Sequence, residues 1–410
     1  MKLRTLFVIG MHVAVTSALA AVTAVAAYYI LNTALRDARA ETLQSYIRMR
    51  AEREQTLFDE AQSLVTAAEQ VFRRRLAHGD AADIEAEFDR LFPSHGDGTR
   101  RSAPELFDGL ALPGGDYVYG IGAFMGDGDA MTLEEKRRHL AAFHAVRSVG
   151  EAHLQHFPSL YYFTPDRRVV IFAPQREDRL EFYRIEAPAD FELQADEDPR
   201  LFSLQTNPRG EMQCTRLSRF VYRDQGERSA TACRMPMREG GELLGAFGTS
   251  ILVTDYLAAA LEAPPAGGVN LMFDREGAVI ARGRTGLVAD RLRVDPVQVI
   301  ALLQDDPRPR GVVHGPDRSH LVAFGRIAGP DWHFVSVVPL DDIEALAAHW
   351  ARIMFVIVFA SSMLFAGLRG LLRRWRPLRR LMRMRSRKIP GRTPARPARS
   401  LAGPARPFID

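Results

Sequence analysis

Val269-Asn-Leu-Met-Phe-Asp-Arg-Glu-Gly-Ala-Val-Ile-Ala-Arg-Gly283 decides the fold. Leu271 and Phe273 alternate with Met272 and Asp274, the period of a half-buried strand. Asp274 to Gly277 supply a tight turn, and Ala278 to Ala281 return as a second strand. Downstream, His320 to Pro339 reads as another hairpin. Its turn is Gly329-Pro330-Asp331, and a β-branched run follows it. Between the two hairpins the pattern predicts a helix over Pro296 to Gln304. Strands, a helix and more strands make an antiparallel sheet with a helix laid on it.

That succession is a PAS-like sensory plan. The phrases Phe273-Asp-Arg-Glu-Gly-Ala-Val-Ile-Ala281 and Leu321-Val-Ala-Phe-Gly-Arg-Ile-Ala-Gly-Pro-Asp-Trp-His-Phe-Val-Ser-Val-Val-Pro339 carry more. They resemble the membrane-proximal half of a double Cache domain. Such domains are the extracytoplasmic sensors of bacterial transmembrane receptors of the histidine-kinase, diguanylate-cyclase and chemoreceptor types. Upstream, Ser159 to Pro174 repeats the hairpin theme, with a turn at Pro165-Asp166. Thr215 to Tyr222, Ala230 to Met237 and Leu243 to Leu252 read as three further strands, and Thr254 to Glu262 as a helix. Gly241-Glu-Leu-Leu-Gly-Ala-Phe-Gly-Thr-Ser-Ile-Leu252 is similar to the closing strand of a membrane-distal Cache module, and Ala263 to Gly268 is the joint. The resemblance spans roughly Leu43 to Leu340. It implies an α+β chain: a long N-terminal helix plus two tandem PAS-like antiparallel-sheet modules, flanked by two transmembrane helices. The expected divisions are a cytoplasmic N-terminus at 1–5, a first span at 6–31, a long periplasmic helix at 32–77 and a membrane-distal module at 78–262. A membrane-proximal module at 263–345, a second span at 346–372 and a basic tail at 373–410 complete them.

Leu6 to Leu31 runs without a charge, enough to span a bilayer with some tilt. A cleaved signal peptide is the alternative, but its apolar region is usually only ~7–15 residues. The second span centres on Ile353 to Leu368, with Trp350 and Trp375 placed for the two interfaces. Lys2 and Arg4 precede the first span, and 14 Lys and Arg lie between Arg369 and Arg406. Cationic flanks mark the cytoplasmic side, so both termini are expected there and the sensor in the periplasm of a two-pass inner-membrane protein. The net charge of +4 therefore hides an acidic exterior. The basic balance belongs to a tail facing anionic lipid, not to a nucleic-acid-binding protein. Cys214 and Cys233 both fall in the exterior part, where an oxidising compartment lets them pair. Two buried free thiols are the alternative.

From Tyr28 to Ala77 the pattern is helical. Leu57, Ala61, Leu64, Ala68 and Val71 recur at spacings of four and three. Nothing between Leu31 and Ala40 breaks the helix, so the first span should continue outward without a joint. The same stripe motivates a homodimer through Glu41 to Val71 and the two spans, with packing against the domain's own sheet as the alternative. His95 to Gly128 reads as loop around a short strand, Asp116 to Ala123. Asp127-Gly-Asp129 lacks the further oxygen ligands of a calcium loop and reads as a solvated turn. A helix from Thr132 to His156, opened by a capping box of Thr132 and Glu135, follows. It carries His139, His144, His153 and His156, four of the 11 histidines, but they spread around its surface and suggest no metal site.

No nucleophile elbow, P-loop or zinc-protease signature is present, and no cofactor motif. Paired acids such as Glu134-Glu135 and Asp341-Asp342 sit at helix starts, where they complement the macrodipole. The remaining candidate is a ligand pocket. In the resembled family, ligands bind the membrane-distal module, between its sheet and the connection after the first hairpin. Here that connection is Arg176 to Pro208, an irregular polar stretch offering Arg176, Arg179, Phe182 and Tyr183, with Tyr161 and Phe163 from the strand before it. The amino-acid-sensing subgroup uses an Arg-x-Trp-Tyr phrase and an Asp on the last strand. This chain has Arg179-Leu-Glu-Phe-Tyr183, one residue longer with Phe182 for Trp, and Ser250 where the Asp would stand. An ammonium group would lose its carboxylate partner there. The set suits a carboxylate or another anion. Surface pairing of these arginines with Glu177, Asp178 and Glu181 is the competing expectation.

The function expected is a membrane-anchored sensor that binds a small ligand and signals across the membrane to a cytoplasmic partner, without catalysis of its own. Arg373 to Leu381 looks like the entry to a signalling helix, and Lys388 to Pro407 cannot form a core. The alternative is a histidine kinase or diguanylate cyclase whose catalytic output domain is missing from this chain. An envelope scaffold for a protein partner is a third.

Overall fold

The computed structural model describes residues 2–385, apart from 79, 113–114, 116, 193–197, 223–225, 266, 284–294, 305 and 317. The Arg- and Pro-rich tail at 386–410 lies outside the described residues, as does the side chain of Trp375. The chain divides into two units, Leu35–Asp342 and a second made of Met1–Ala34 with Ile343–Asp410.

Helix α1, Lys2–Leu76, contributes to both units. Its 75 residues include no proline and only Gly10, so nothing interrupts the hydrogen-bond ladder. In the smaller unit it is joined by α9, Asp341–Arg385. Two stretches, Ile9–Leu76 and Asp341–Leu372, contain windows long and apolar enough to cross a membrane. Phe7, Val22, Leu364 and Phe365 are more than half exposed there, a surface that water disfavours.

The larger unit holds two principal sheets. The first is built from β1 (Arg100–Arg101), β4 (Ile121–Met125), β5 (Leu160–Thr164), β6 (Arg168–Phe172), β7 (Gln213–Cys214), β8 (Ser218–Tyr222), β9 (Gly226–Glu239) and β10 (Glu242–Leu252). A two-stranded ribbon of β2 (Leu110–Ala111) and β3 (Tyr117–Val118) stands apart from it. The second sheet comprises β11 (Val269–Phe273), β12 (Val279–Arg282), β13 (Arg310–His314), β14 (His320–Ile327) and β15 (Trp332–Pro339). Its order is β12-β11-β15-β14-β13. Counted along the chain this is second, first, fifth, fourth, third. The first sheet repeats that order in β6-β5-β10-β9-β7, with β4 and β1 added at one edge and β8 pairing β9. Both sheets are antiparallel throughout. No strand of the first sheet extends past Leu252, and none of the second begins before Val269. The chain is α+β, a long N-terminal helix with two tandem PAS-like antiparallel modules, the plan of the double Cache resemblance.

Helix α1 covers one face of each sheet. Phe72 packs on Tyr162 and Phe247 of the first, their centroids 5.6 and 5.8 Å away. Helix α4 (Leu133–Ala152) joins it there, with His139 edge-on to Tyr162. On the second sheet Phe58 meets Trp332 edge-on at 5.6 Å, and Tyr46 lies 6.5 Å from Phe334. The opposite face of the second sheet takes Val299 and Leu303 of α8, Pro296–Gln304. Ala61, Leu64, Val65 and Ala68 of α1 are buried within the chain itself. The apolar stripe expected to drive a dimer is therefore used on the chain's own sheets. What α1 leaves exposed along this stretch is a polar face with a shallow groove of about 450 Å³, lined by Asp59, Gln62, Ser63, Thr66, Ala67 and Gln70.

Several expected elements divide more finely. The strand expected over Asp116 to Ala123 breaks into β3 and β4 at Gly120, whose φ of 63° favours glycine. The strand expected over Thr215 to Tyr222 shortens to β8, with β7 just ahead of it and the Thr215 amide donating to the Ala232 carbonyl between the two. The polar connection 176–208 is not irregular throughout. It contains α5 (Glu177–Glu181), a π-helical turn (Phe182–Glu186) and α6 (Asp198–Phe202). Leu180, Tyr183 and Ala187 give it a buried face at spacings of three and four, masked in the sequence by the charges between them. Short helices α2 (Ala81–Leu91), α3 (Glu105–Asp108) and α7 (Thr254–Ala260) complete the described α-helices, and a 3₁₀ turn spans Gly128–Ala130.

Candidate functional site

Strand register decides which side chains share a face, because directly opposed residues of an antiparallel pair point the same way. Tyr161 opposes Ile171 and Gly248, Phe163 opposes Val169 and Ala246, and Ser250 opposes Ala232. Tyr161, Phe163 and Ser250 therefore share one face of the first sheet, while Tyr162 and Phe247 share the other, against α1. The cover over the first face is the connection after the hairpin. Leu180, Tyr183, Ala187 and Leu201 are buried together with Tyr161 and Phe163. Leu180 comes so close to Gly122 that a Cβ there would lie 2.8 Å from its Cδ2.

The π-helical turn begins at Phe182, at the end of the phrase Arg179 to Tyr183. Its defining bond runs from the Ala187 amide to the Phe182 carbonyl, 2.8 Å. Such a turn accommodates one extra residue in a helix and is frequent at functional sites. Tyr183 reaches the buried cluster, while Phe182 is half-buried and packs on Phe191 at 5.1 Å. Burial raises the Tyr183 hydroxyl pKa against the opposing charge of Arg179. The phenol therefore stays protonated.

The arginines divide. Arg176 grips Asp178 through two bonds of 3.0 and 3.1 Å, so surface pairing accounts for it. Burial works against the charge on Asp178, but Arg176 outweighs it and holds the carboxyl below its usual range. The guanidinium carbon of Arg179 instead lies 4.8 Å from the Tyr183 ring centroid and 5.3 Å from that of Phe182. Ser250 anchors its strand through its amide, which donates to Ser159 Oγ at 3.3 Å, and its side chain is half-exposed.

Two arginines of this region were not foreseen. Arg101 of β1 is buried and donates to the carbonyls of Ile185 and Ala187 at 2.9 and 2.8 Å, closing the end of the π-turn. It also binds Asp97 at 3.0 Å and Thr99 at 3.1 Å. The Thr99 hydroxyl, with Arg101 beside it, holds the Asp97 carboxyl down to about 2. Arg234 of β9 opposes Gly248 and is only 2% exposed. Its guanidinium carbon stands 5.6 Å from the Phe163 ring centroid. The signal available for Arg234 was its inward phase between Ala232 and Pro236, legible only once β9 is aligned on β10.

The acids and histidines set aside as metal ligands have other partners. Asp127 and Asp166 bind Arg168 at 3.2 and 3.1 Å, and Glu135 at 2.7 Å. Asp129 binds Arg100 at 3.1 Å. His139 contacts the Glu135 carbonyl through Nδ1, and burial pushes its pKa down to about 4. Among the described residues no group of three or more His, Cys, Asp or Glu is placed to hold a metal ion. Cys214 and Cys233, opposite one another on β7 and β9, form a disulfide.

No family model matches this chain, and no curated protein is significantly similar to it. Among solved structures it is similar to the ligand-binding domain of the Pseudomonas fluorescens chemoreceptor CtaA in complex with L-isoleucine. That likeness has 14% identity and a TM-score of 0.40 over 77% of this chain and 98% of that one. It is similar also to the ligand-binding domain of the Pseudomonas aeruginosa amino-acid chemoreceptor PctC in complex with GABA, at 14% identity and a TM-score of 0.37 over 73% and 98%. The sensory domain of the Campylobacter jejuni chemoreceptor Tlp3 with isoleucine bound matches at 11% identity and a TM-score of 0.39 over 77% and 98%. Likenesses at this level carry no ligand or role across to this chain, whose fold rests on its own strand order.

Proposed function

We infer that the chain is a membrane-anchored extracytoplasmic sensor that binds a small anionic ligand and transmits a signal across the bacterial inner membrane. It crosses twice, with the sensor in the periplasm and both termini in the cytoplasm. It acts without catalysis of its own, through a cytoplasmic signalling partner. The observation that carries this reading is the pair Tyr161 and Tyr162. Tyr161 faces the candidate site, and its neighbour Tyr162 stacks on Phe72 of α1, the helix whose N-terminal part is a candidate span. A shift of β5 on ligand binding thus bears directly on that helix. Arg179 supplies a cation on the cover, and Ser250 cannot neutralise an ammonium group, which favours an anion over a zwitterionic amino acid. A homodimer belongs to the same reading, through the exposed face of α1 at Asp59, Ser63 and Thr66.

The test is a thermal-shift screen of the full chain in nanodiscs, with carboxylates and amino acids at matched concentration. A ligand at about 100 times its dissociation constant stabilises by about 2.7 kcal/mol. Carboxylates should stabilise and amino acids should not. Stabilisation by amino acids alone would sink the anion preference. Labelling of Glu151→Cys from the cytoplasmic side of sealed vesicles would overturn the topology.

A further inference from the structure

We propose that the groove between the two candidate spans binds an anionic phospholipid, with Arg352 on the lipid phosphate and an acyl chain in the apolar length below. This rests on the two-pass reading above and is independent of what the sensor binds.

The groove lies within the smaller unit. A volume of about 480 Å³ is open between the N-terminal part of α1 and the start of α9. Ala21, Ala24 and Val25 line it from one helix, and Ala351 and Phe355 from the other. The lining contains one cation, Arg352, and no carboxylate. The chain leaves this unit after Ala34 and re-enters it at Ile343, so the two helices run in opposite directions. Tyr28, Tyr29 and Arg352 therefore lie towards one end of the groove, and Ala21 and Phe355 towards the other. Ala21 to Tyr28 is about two turns, ~10 Å of a leaflet whose hydrocarbon is ~15 Å deep. A charge at the outer end of an apolar slot of that length matches a phospholipid, which carries its phosphate above its acyl chains.

Arg352 is placed to need such a partner. It and Arg369 bracket 16 uncharged residues. As helix these rise about 24 Å, less than the ~30 Å of hydrocarbon. The backbone of Arg352 is thereby drawn to the hydrocarbon edge, and its side chain must reach outward. It does so: Nε donates to the Ala348 carbonyl, one turn nearer the outer face, at 3.2 Å. Among the described residues that carbonyl is the one hydrogen-bond or ion-pair partner of Arg352, which leaves both Nη groups for a ligand. A cation at this depth is costly without a counter-charge, and two phosphate oxygens fit its planar fork. A zwitterionic headgroup adds an ammonium group for which the lining holds no acid, so the anionic headgroup is preferred. A second copy of the chain seated here symmetrically would bring a second Arg352, not an acid.

The test places the full chain in phosphatidylcholine nanodiscs with a trace of phosphatidylglycerol or phosphatidylcholine that carries a photoreactive group on one acyl chain, and maps the cross-links. In wild type the phosphatidylglycerol probe should label segments 21–29 and 348–355 at least about 5-fold more than the phosphatidylcholine probe, as one interfacial arginine allows. Arg352→Gln should bring the two probes within about 2-fold of one another there. Arg352→Lys keeps the charge without the fork and should keep part of the preference; it decides the matter if the Gln variant fails to insert. Ala351→Trp fills the groove and should abolish the preference. Ile357→Trp adds the same bulk at a residue 52% exposed and outside the lining, and should leave it intact. Equal labelling by both probes in wild type, or a preference that survives both Arg352 variants, would overturn the inference. Loss of labelling in excess glycerol 3-phosphate would make this a site for soluble phosphates and overturn the lipid. A lipid-free dimer that Ala351→Trp makes monomeric would give the groove to a second copy and overturn it too. Labelling of Glu151→Cys from the cytoplasmic side with the lipid preference intact would end the topology reading alone.

Discussion

Tyr162 stacks on Phe72, the ring centroids 5.6 Å apart and the planes inclined by 23°. One ring belongs to the strand that lines the candidate site and the other to the helix that covers the sheet. Both are fully buried, and the Tyr162 hydroxyl donates to the Leu244 carbonyl. Phe72→Ala should therefore cost about 3–5 kcal/mol, as for other large-to-small changes in a core. Tyr162→Phe leaves one buried carbonyl short of a donor and should cost about 1–3 kcal/mol. Denaturant midpoints of these variants test both costs. Tyr162→Ala removes the second ring, and if the two rings act as a pair, the Phe72→Ala/Tyr162→Ala double change should cost about 0.5–1.5 kcal/mol less than the sum of its two single changes. Simple additivity would mean that the stack itself contributes nothing.

Stability should fall with acid in two stages. His139 is neutral in the fold, its pKa moved by burial from 6.5 to about 4. Between those values the unfolded chain takes up a proton that the folded chain refuses. Stability is therefore full above pH 6.5 and declines as the pH falls towards 4. Asp97 and Glu135 act lower down. The Thr99 hydroxyl holds Asp97 at about 2; burial opposes the charge on Glu135, but the Thr132 amide and Arg168 hold it at about 2 as well. Their contributions are present above pH 3.8 and 4.5 and are lost as the pH falls through about 2. His139→Gln should flatten the upper stage and spare the lower. Urea midpoints at pH 7, 5.5, 4 and 3 measure both. An unchanged slope above pH 4 would remove His139 from the explanation.

The fold was legible where a local signal coincided with a global one. The uninterrupted α1 follows from a stretch with no proline and a single early glycine, and the hairpin turn at Gly329-Pro330-Asp331 from residues that tolerate positive φ, 84° at Gly329 and 60° at Asp331. The capping box of Thr132 and Glu135 is present in both directions. The face that the candidate residues share was legible in part. Tyr161, Phe163 and Ser250 share a face because alternate residues of a strand do so. The places of Arg234 and Arg101 beside them were not, since one depends on a pairing across strands and the other on carbonyls more than 80 residues away. What covers the apolar stripe on α1 was not legible for a related reason. Periodicity shows that a face is buried, not by what.

The Cys214–Cys233 disulfide closes a separation of 19 residues and fastens a two-residue strand to the long β9. The Cys214 amide also donates to the Gly329 carbonyl, in the turn between β14 and β15, at 3.3 Å. Losing the bond should cost about 3 kcal/mol on chain-entropy grounds. The double change of Cys214 and Cys233 to serine should lower the melting temperature, and a dithiol reductant acting on denatured wild type should reproduce the shift on refolding. A variant as stable as wild type would show that β7 is held by its hydrogen bonds alone.

Arg101 should act as the latch of the cover. It is the donor to both the Ile185 and Ala187 carbonyls, where the π-turn ends, and Asp97 accepts from the same Nη2 that reaches Ala187. Arg101→Met keeps an apolar stem over Phe124, whose ring the guanidinium now faces at 5.4 Å, but removes every donor. The two carbonyls then lose their bonds, and segment 182–191 should open more readily than the sheet beneath it. Amide exchange in that segment should rise by about 10-fold or more, a change of about 1.4 kcal/mol in local opening, while the amides of β5 and β10 stay protected. Asp97→Asn keeps the arginine but loosens its anchor and should give the same pattern at smaller amplitude. Acceleration spread evenly over both sheets would instead mark Arg101 as a residue of global stability, with no particular hold on the cover.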